Sequence, residues 1–167
     1  MKLALIALRD APQLLDFEQR NKLWFDQFIP PREDDFYCLK GVKNHIREFL
    51  LDYHCNELMP MLIKDNDNKI VGRINVSNID CDKGVAHLGY RVGQEAINQG
   101  VAKWAVAQIE TLLRARHIHT LYAYAATNNL ASQKVLTSNG FEPVKVVHDY
   151  AELHGKMIDC IEYRTRF

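Results

Sequence analysis

The sequence predicts a mixed α/β fold, a twisted mixed sheet with helices on both faces, and three observations point to it. Short apolar runs of strand character and amphipathic helical segments follow one another in the order β-α-α-β-β-β-α-β-α-β-β. Two strands feed helices through polar loops. Val85–Val92 does so through Gly93–Gly100, and Ile118–Ala125 through a turn at Thr127-Asn128-Asn129. The other strands pair around strong turn signals, Asp65-Asn66-Asp67-Asn68 and His154-Gly155. The chain has 167 residues, the length of one domain, and no repeat, low-complexity stretch or linker divides it.

In order, Leu3–Leu8 is an apolar run of strand length. Asp10-Ala11-Pro12 starts a helix, with Asp10 as cap and proline in the first turn, and Leu14, Leu15, Phe17 and Leu23 line its apolar face. Trp24–Leu39 reads WFDQFIPPREDDFYCL, and its two adjacent prolines exclude a continuous helix. Its aromatics Trp24, Phe28, Phe36 and Tyr37 either pin a loop to the core or wall a substrate site, since binding residues gather on loops held by a rigid scaffold. Val42–Tyr53 is amphipathic, with Ile46, Phe49, Leu50 and Tyr53 on one face. Leu58–Ile63 and Lys69–Ser77 are strands flanking the Asp/Asn turn, and Ile79–Gly84 turns the chain into the strand Val85–Val92. Val144–Tyr150 and Met157–Arg164 form a hairpin at His154-Gly155.

Composition narrows the function. Lys plus Arg equals Asp plus Glu, 21 each, so no basic excess marks a nucleic-acid footprint and no direct nucleic-acid binding is expected. Cys38, Cys55, Cys81 and Cys160 are widely spaced with no C-x-x-C pair. His117 and His119 share a face of the predicted strand without a third ligand, so no metal is expected. Met1–Leu8 is too short for a secretory signal, and no apolar run approaches the ~20 residues that span a bilayer. The expectation is a soluble cytoplasmic protein, monomer or homodimer.

The helix that opens near Val101 carries Ala105, Ile109, Leu112 and Leu113 on one face. Its first turn leaves N–H groups without internal partners, and the helix dipole adds positive charge there, which makes an anion site suited to phosphate. Gly100 admits a ligand close to the backbone, and the small Ala102 keeps the turn open. The loop into this helix ends Ile97-Asn98-Gln99-Gly100-Val101-Ala102. A second helix opens with Asn129-Leu130-Ala131-Ser132 and closes at Asn139-Gly140-Phe141.

On these two stretches the chain resembles the GNAT superfamily of acyl-CoA-dependent N-acetyltransferases. That family carries Q/R-x-x-G-x-G/A at the first helix start, often N-x-x-S or N-x-x-A at the second, and G-F behind it. The chain departs at the leading position, where Ile97 stands for Gln or Arg, so one side-chain contact to a pyrophosphate is missing. The aromatic Trp24–Tyr37 segment, with an acidic F-Y before the next helix, further resembles the ribosomal-protein N-terminal alanine acetyltransferases (RimJ/RimL-like) within GNAT.

The resemblance implies a GNAT fold whose central strand splays from its neighbour. It implies acetyl-CoA as cosubstrate, held at Ile97, Asn98, Gln99, Gly100, Val101 and Ala102 and along the backbone of Tyr90, Arg91 and Val92. It makes Asn129 a contact to the pantetheine arm, where the residue type by itself suggests a helix cap. It places Ser132 near the sulfur, passing a proton or hydrogen-bonding the leaving group. Where many relatives carry a tyrosine acid the chain has Leu136, and where some carry a glutamate base it has Tyr124. His87 lies on the central strand where relatives often carry Glu, and is either a general base or a half-exposed strand histidine. An N-terminal amine, with a reference pKa near ~8 against ~10.4 for lysine, needs little help from a base. The expected function is acetyl transfer to an amine by direct attack in a ternary complex. The acceptor would be the N-terminal α-amine of a protein, a ribosomal one included. A small-amine transferase and an idle acyl-CoA-binding module are the alternatives.

Overall fold

The computed structural model describes residues 1–167. Its elements are β1 (Lys2–Leu5), α1 (Ala11–Arg20), α2 (Lys22–Phe25), α3 (Leu39–His54), β2 (Leu58–Lys64), β3 (Ile70–Asp80), β4 (Val85–Val92), α4 (Val101–Arg114), β5 (Thr120–Ala126), α5 (Leu130–Thr137), β6 (Glu142–Leu153) and β7 (Lys156–Arg166). The seven strands form one sheet in the order β1-β2-β3-β4-β5-β7-β6. Every neighbouring pair is antiparallel except β4 and β5, which are parallel because α4 carries the chain back between them.

The mixed α/β architecture is as expected, and the differences lie at element ends. α3 starts at Leu39, ahead of Val42, because the Cys38 Sγ accepts the Gly41 N–H at 3.3 Å and caps the earlier turn. Asp10 precedes α1, but its carboxylate does not cap it. One oxygen accepts the Ala7 N–H at 2.9 Å and the other accepts from Lys64 Nζ of β2 at 2.8 Å, which ties the helix start to the sheet. The β6–β7 hairpin is longer than its apolar pattern, since β6, at the sheet edge, is exposed over most of its length. His154 and Gly155 both take positive φ, 52° and 74°, as a tight hairpin turn requires. His117 and His119 lie ahead of β5 and not on it.

The two faces of the sheet bury different chemistry. Ile74, Val76, Leu88, Leu121 and Ala123 face α4 and α5 and pack with Val101, Ala105, Ile109, Leu113 and Leu136. On the other face α1 and α3 bring Leu14, Phe17, Val42 and Ile46 against Leu62 and Ile70, and Phe25 and Phe36 join them. Charge is buried on this second face as well. Glu18 of α1 is 0% exposed, and its Oε1 accepts from Arg73 Nη1 of β3 at 2.7 Å and lies 3.4 Å from Arg91 Nη2 of β4. Arg73 Nη2 stands 2.8 Å from His45 Nε2 of α3. A guanidinium has no acceptor, so Arg73 donates and the imidazole accepts with a lone pair. Two helices are thereby bolted to two central strands. Burial raises the Glu18 carboxyl, but Arg91, Arg73 and Arg32 together hold it below its usual range. Burial, with Arg73, Arg32 and Arg91, pulls His45 down to about 2.

The sign of the pH dependence follows. An unfolded histidine titrates near ~6.5, so protonating His45 favours the unfolded chain, and its contribution is complete above that pH and lost below it. Glu18, with a lowered carboxyl, adds a further loss at more acid pH. The melting temperature is expected to fall between pH 7 and pH 5. His45→Gln, which keeps an acceptor for Arg73, should flatten that segment, because one such group accounts for at most about 1.4 kcal/mol per pH unit. An unchanged slope in the variant contradicts the assignment.

Candidate active site

β4 and β5 pair only from Val85↔Thr120 to Leu88↔Ala123. β4 continues to Val92 and β5 to Ala126, so from Gly89 and Tyr124 onward the strands part. The parting opens a cleft of about 250 Å³. Leu88, Tyr90, Ala123, Ser132 and Leu136 line it from the α5 side, and Arg73, Asn75, Arg91 and Tyr124, with Ile29, from the other. Gly89 sits at the fork, and the space where a Cβ would project is open.

On the α5 side two hydroxyls meet. Asn129 caps α5, its Oδ1 accepting the Ser132 N–H at 3.1 Å, which sets Ser132 in the first turn. The Tyr90 hydroxyl lies 3.0 Å from Ser132 Oγ and 3.2 Å from the Ser132 carbonyl. Burial pushes the Tyr90 phenol up to about 12, so it stays protonated. When its proton points to the carbonyl, Ser132 keeps its own to donate.

On the opposite side Arg73 and Arg91 stand directly across from each other in the β3–β4 register, and Asn75 stands across from Gly89. Asn75 Oδ1 is buried without a hydrogen-bond partner. The Tyr124 hydroxyl donates to Glu162 Oε2 of β7 at 2.8 Å, and burial and that carboxylate raise it to about 12. Tyr150 stacks on Tyr124, with centroids 4.8 Å apart and planes at 22°. A bulge in β6 aims it, because pairing jumps from Val147↔Cys160 to Ala151↔Ile158 and Asp159 takes up His148 Nδ1 at 2.8 Å and the Asp149 N–H at 3.0 Å. The hairpin tip crosses to the α2 segment, where His154 Nε2 meets the Asp26 carbonyl at 2.6 Å.

The start of α4 forms a second feature. Gly100 is its N-cap at φ 74°, gives no side-chain cap, and has open space beyond its Cα. The first bond into the helix is from Trp104 N–H to the Gly100 carbonyl at 2.9 Å, so the preceding N–H groups have no partner within the helix. Bare N–H groups, a left-handed glycine and open space fit a phosphate-bearing group.

Residues 1–142 match the family model described as acetyltransferase (GNAT) domain. The chain belongs to the GNAT acetyltransferase family. Among its relatives is the probable N-acetyltransferase YjcK of Bacillus subtilis, 22% identical over 160 residues, which cover 90% of this chain and 84% of that protein. Ribosomal-protein-S5-alanine acetyltransferase from Vibrio fischeri superposes at a TM-score of 0.92 with 25% identity, over 98% of this chain and 91% of that one. The microcin C7 self immunity acetyltransferase MccE, solved with acetyl-CoA and AMP, superposes at 0.89 with 20% identity, over 99% and 93%, which speaks to the fold.

In this GNAT chain the residues expected at the site divide. Tyr90, Arg91 and Ser132 line the cleft, and Leu136, where a tyrosine acid was absent, is a buried part of its wall. Ile97, Asn98, Gln99, Gly100, Val101 and Ala102 stand at the α4 start outside that lining, with Ile97 37% exposed. The Val92 carbonyl is taken by the Trp24 indole N–H at 3.2 Å. His87 packs 5.6 Å from the Tyr122 ring and 5.9 Å from Tyr124, and it does not line the cleft. None of Trp24, Phe28, Phe36 and Tyr37 lines it either. Phe28 packs edge-on against Trp24, Phe36 is buried beneath α3, and Tyr37 lies under Lys22 Nζ. From that segment Ile29 reaches the cleft instead. Sequence reasoning missed Arg73 and Asn75, and had Tyr124 only as the residue in place of a glutamate base. Their signal is polar side chains at alternate positions of otherwise apolar strands, Gly72-Arg73-Ile74-Asn75-Val76 and Ala123-Tyr124-Ala125.

Proposed function

We propose that this GNAT protein, one domain over residues 1–167, transfers an acetyl group from acetyl-CoA to the N-terminal α-amine of a protein, a ribosomal protein being the nearest model, by direct attack in a ternary complex. The observation that carries the reading is the cleft where β4 and β5 part, with a hydroxyl pair on one side and a polar, cationic surface on the other. When bound, acetyl-CoA supplies an acyl thioester. The likeness to an S5-alanine acetyltransferase and to an acetyl-CoA-bound relative supports donor and acceptor class.

The α4 N–H groups hold the pyrophosphate of the donor, and the β4 backbone beyond Gly89 orients its arm. One O–H of the pair is offered to the leaving sulfur, that of Ser132 when the Tyr90 proton points to the Ser132 carbonyl, or that of Tyr90 when Ser132 donates to the phenol oxygen. A thiol titrates near ~8.5, well below Tyr90 at about 12, so full proton transfer from the phenol is uphill and its service is a hydrogen bond. On the acceptor side Arg73 and Arg91 disfavour an ammonium and so favour the neutral, attacking amine. No strong base is required, which suits a cleft that His87 does not line. A volume of about 250 Å³ takes one terminal residue with the rest of a peptide outside, and equally supports a free small amine as the second reading. The four unpaired thiols favour a reducing, cytoplasmic setting, and no helix is long and apolar enough to cross a membrane.

Gly100→Glu is expected to weaken CoA binding on the order of tenfold or more in calorimetry, by charge and bulk at the cradle. Gly100→Asn, which tolerates positive φ, is the control for backbone strain and should bind better than Gly100→Glu. Equal, undiminished affinity in both variants contradicts the cradle.

Ser132→Ala and Tyr90→Phe are each expected to lower kcat by about 10- to 100-fold, the value of a charge-assisted hydrogen bond, with the acetyl-CoA dissociation constant nearly unchanged. Because the two hydroxyls act as one unit, the double variant should lose little more than the worse single one. Full turnover in folded Ser132→Ala overturns its assignment.

A further inference from the structure

Beneath the acceptor side of the cleft, the buried charges do not balance. Arg73 is 1% exposed and the Arg91 side chain 15% exposed, and both line the cleft. Glu18 is the one carboxylate within 4.0 Å of either, and its single negative charge is shared between them. Arg32 adds a third guanidinium to the same cluster, with its Nε buried and unpartnered. His45, the remaining titratable group against Arg73, is neutral. Three cations against one anion leave two positive charges at the wall of the cleft, and charge this far buried persists where a partner compensates it. The apolar surroundings do not compensate it. The faces of Phe49, Phe25 and Phe36 lie under Arg73, Arg91 and Arg32 and steady the guanidiniums without neutralising them.

A second observation lies one step along the same strands. Asn75 Oδ1, buried without a partner, lines the cleft on the face of β3 that carries Arg73, two residues on. That is an acceptor for an N–H, about 7 Å along the strand from a paired-cation anion site. An amine and a carboxylate carried by one amino acid residue span such a gap once each end makes its hydrogen bond.

We propose that the acceptor of this enzyme presents a carboxylate next to the primary amine that is acetylated, with Arg73 and Arg91 receiving the carboxylate, Arg32 adding to their field, and Asn75 Oδ1 accepting from the amine. The inference rests on the acetyl-transfer reading and narrows it to a substrate class. The carboxylate comes from an acidic side chain at the start of a peptide or from the α-carboxylate of a free amino acid. Either supplies the missing anion, and a guanidinium pair takes a carboxylate with good geometry.

The test compares matched acceptors in the intact enzyme with acetyl-CoA. Peptides beginning Asp-Ala and Asn-Ala differ in one side-chain charge on the residue that carries the amine, and alanine and alaninamide differ in the α-carboxylate. Wild type is expected to favour the carboxylate member of one pair on the order of tenfold or more in kcat/KM. A preference in the peptide pair assigns the anion to a side chain, and one in the alanine pair assigns it to a free amino acid. In Arg32→Gln and Arg91→Gln the ratio should fall toward one, and Arg91→Lys should restore part of it. This ratio does not move with a general loss of folded protein. Equal use of both members of both pairs by wild type, or a preference that survives in both glutamine variants, overturns the proposal while leaving acetyl transfer standing. If no amine is turned over, the transferase reading fails. Calorimetry of the same pairs against CoA-saturated enzyme then decides the charge recognition by itself, and equal binding of acid and amide refutes it.

Discussion

Everything at this site depends on the point where two parallel strands stop pairing. Leu88 and Ala123 are the last partners, and β4 runs on to Val92 with one edge bonded to β3 and the other facing a gap. Backbone polar groups at such an edge have to be satisfied by something other than a neighbouring strand. The protein satisfies some of them itself. The Trp24 indole takes the Val92 carbonyl, and beyond the strand Gln94 N–H goes to Asn21 Oδ1. The stretch between Gly89 and Val92 is what remains for a ligand, and Gly89, without a side chain, keeps its entrance open. The gap is held from both faces. Tyr90, Ser132 and Leu136 wedge it from the α5 side, and Tyr124, fixed by Glu162 and Tyr150, from the other.

The two sides are built for different partners. The donor side is neutral and made of backbone and hydroxyls, with the α4 start as its anion end. The acceptor side is cationic, because α1 and α3 are fastened to β3 and β4 by a carboxylate and an imidazole that between them carry less charge than the guanidiniums they hold. One buried knot therefore serves stability and recognition together. It fixes the helices, and its excess charge sets what can approach the amine site and in which protonation state. The β6–β7 hairpin completes the acceptor side, since its bulge turns Tyr150 inward and its tip reaches Asp26.

What was legible in the sequence was local. Apolar runs and turn signals marked β3, β4 and β5, the Gly100 and Asn129 signals marked the starts of α4 and α5, and the motif resemblance supplied the splay. Ser132 was reached through the N-x-x-S resemblance, and the physical reason for that spacing is the cap, since Asn129 Oδ1 accepts the Ser132 N–H. What stayed hidden was long-range pairing. Glu18 meets Arg73 across 55 positions and Tyr90 meets Ser132 across 42, and neither separation leaves a periodic trace. The aromatic segment misled for a related reason. Trp24 and Phe36 are aromatic because they anchor the segment to β4 and to α3, whereas the residue delivered to the cleft is the unremarkable Ile29. Ser132 also has a companion that the helix motif does not contain, since with Leu136 in place of a tyrosine the phenol comes from β4.

The central claim is that the free edge of β4 beyond Gly89, together with the first turn of α4, receives acetyl-CoA. Amide hydrogen exchange of the enzyme with and without saturating acetyl-CoA tests it most directly, because each unpaired N–H reports its own protection. The account predicts new protection at Tyr90–Val92 and Val101–Lys103, with little change along β1, β2 and the exposed β6 edge. Saturation with acetyl-CoA that leaves these two segments exchanging as before, or that protects the β6 edge in their place, would contradict it.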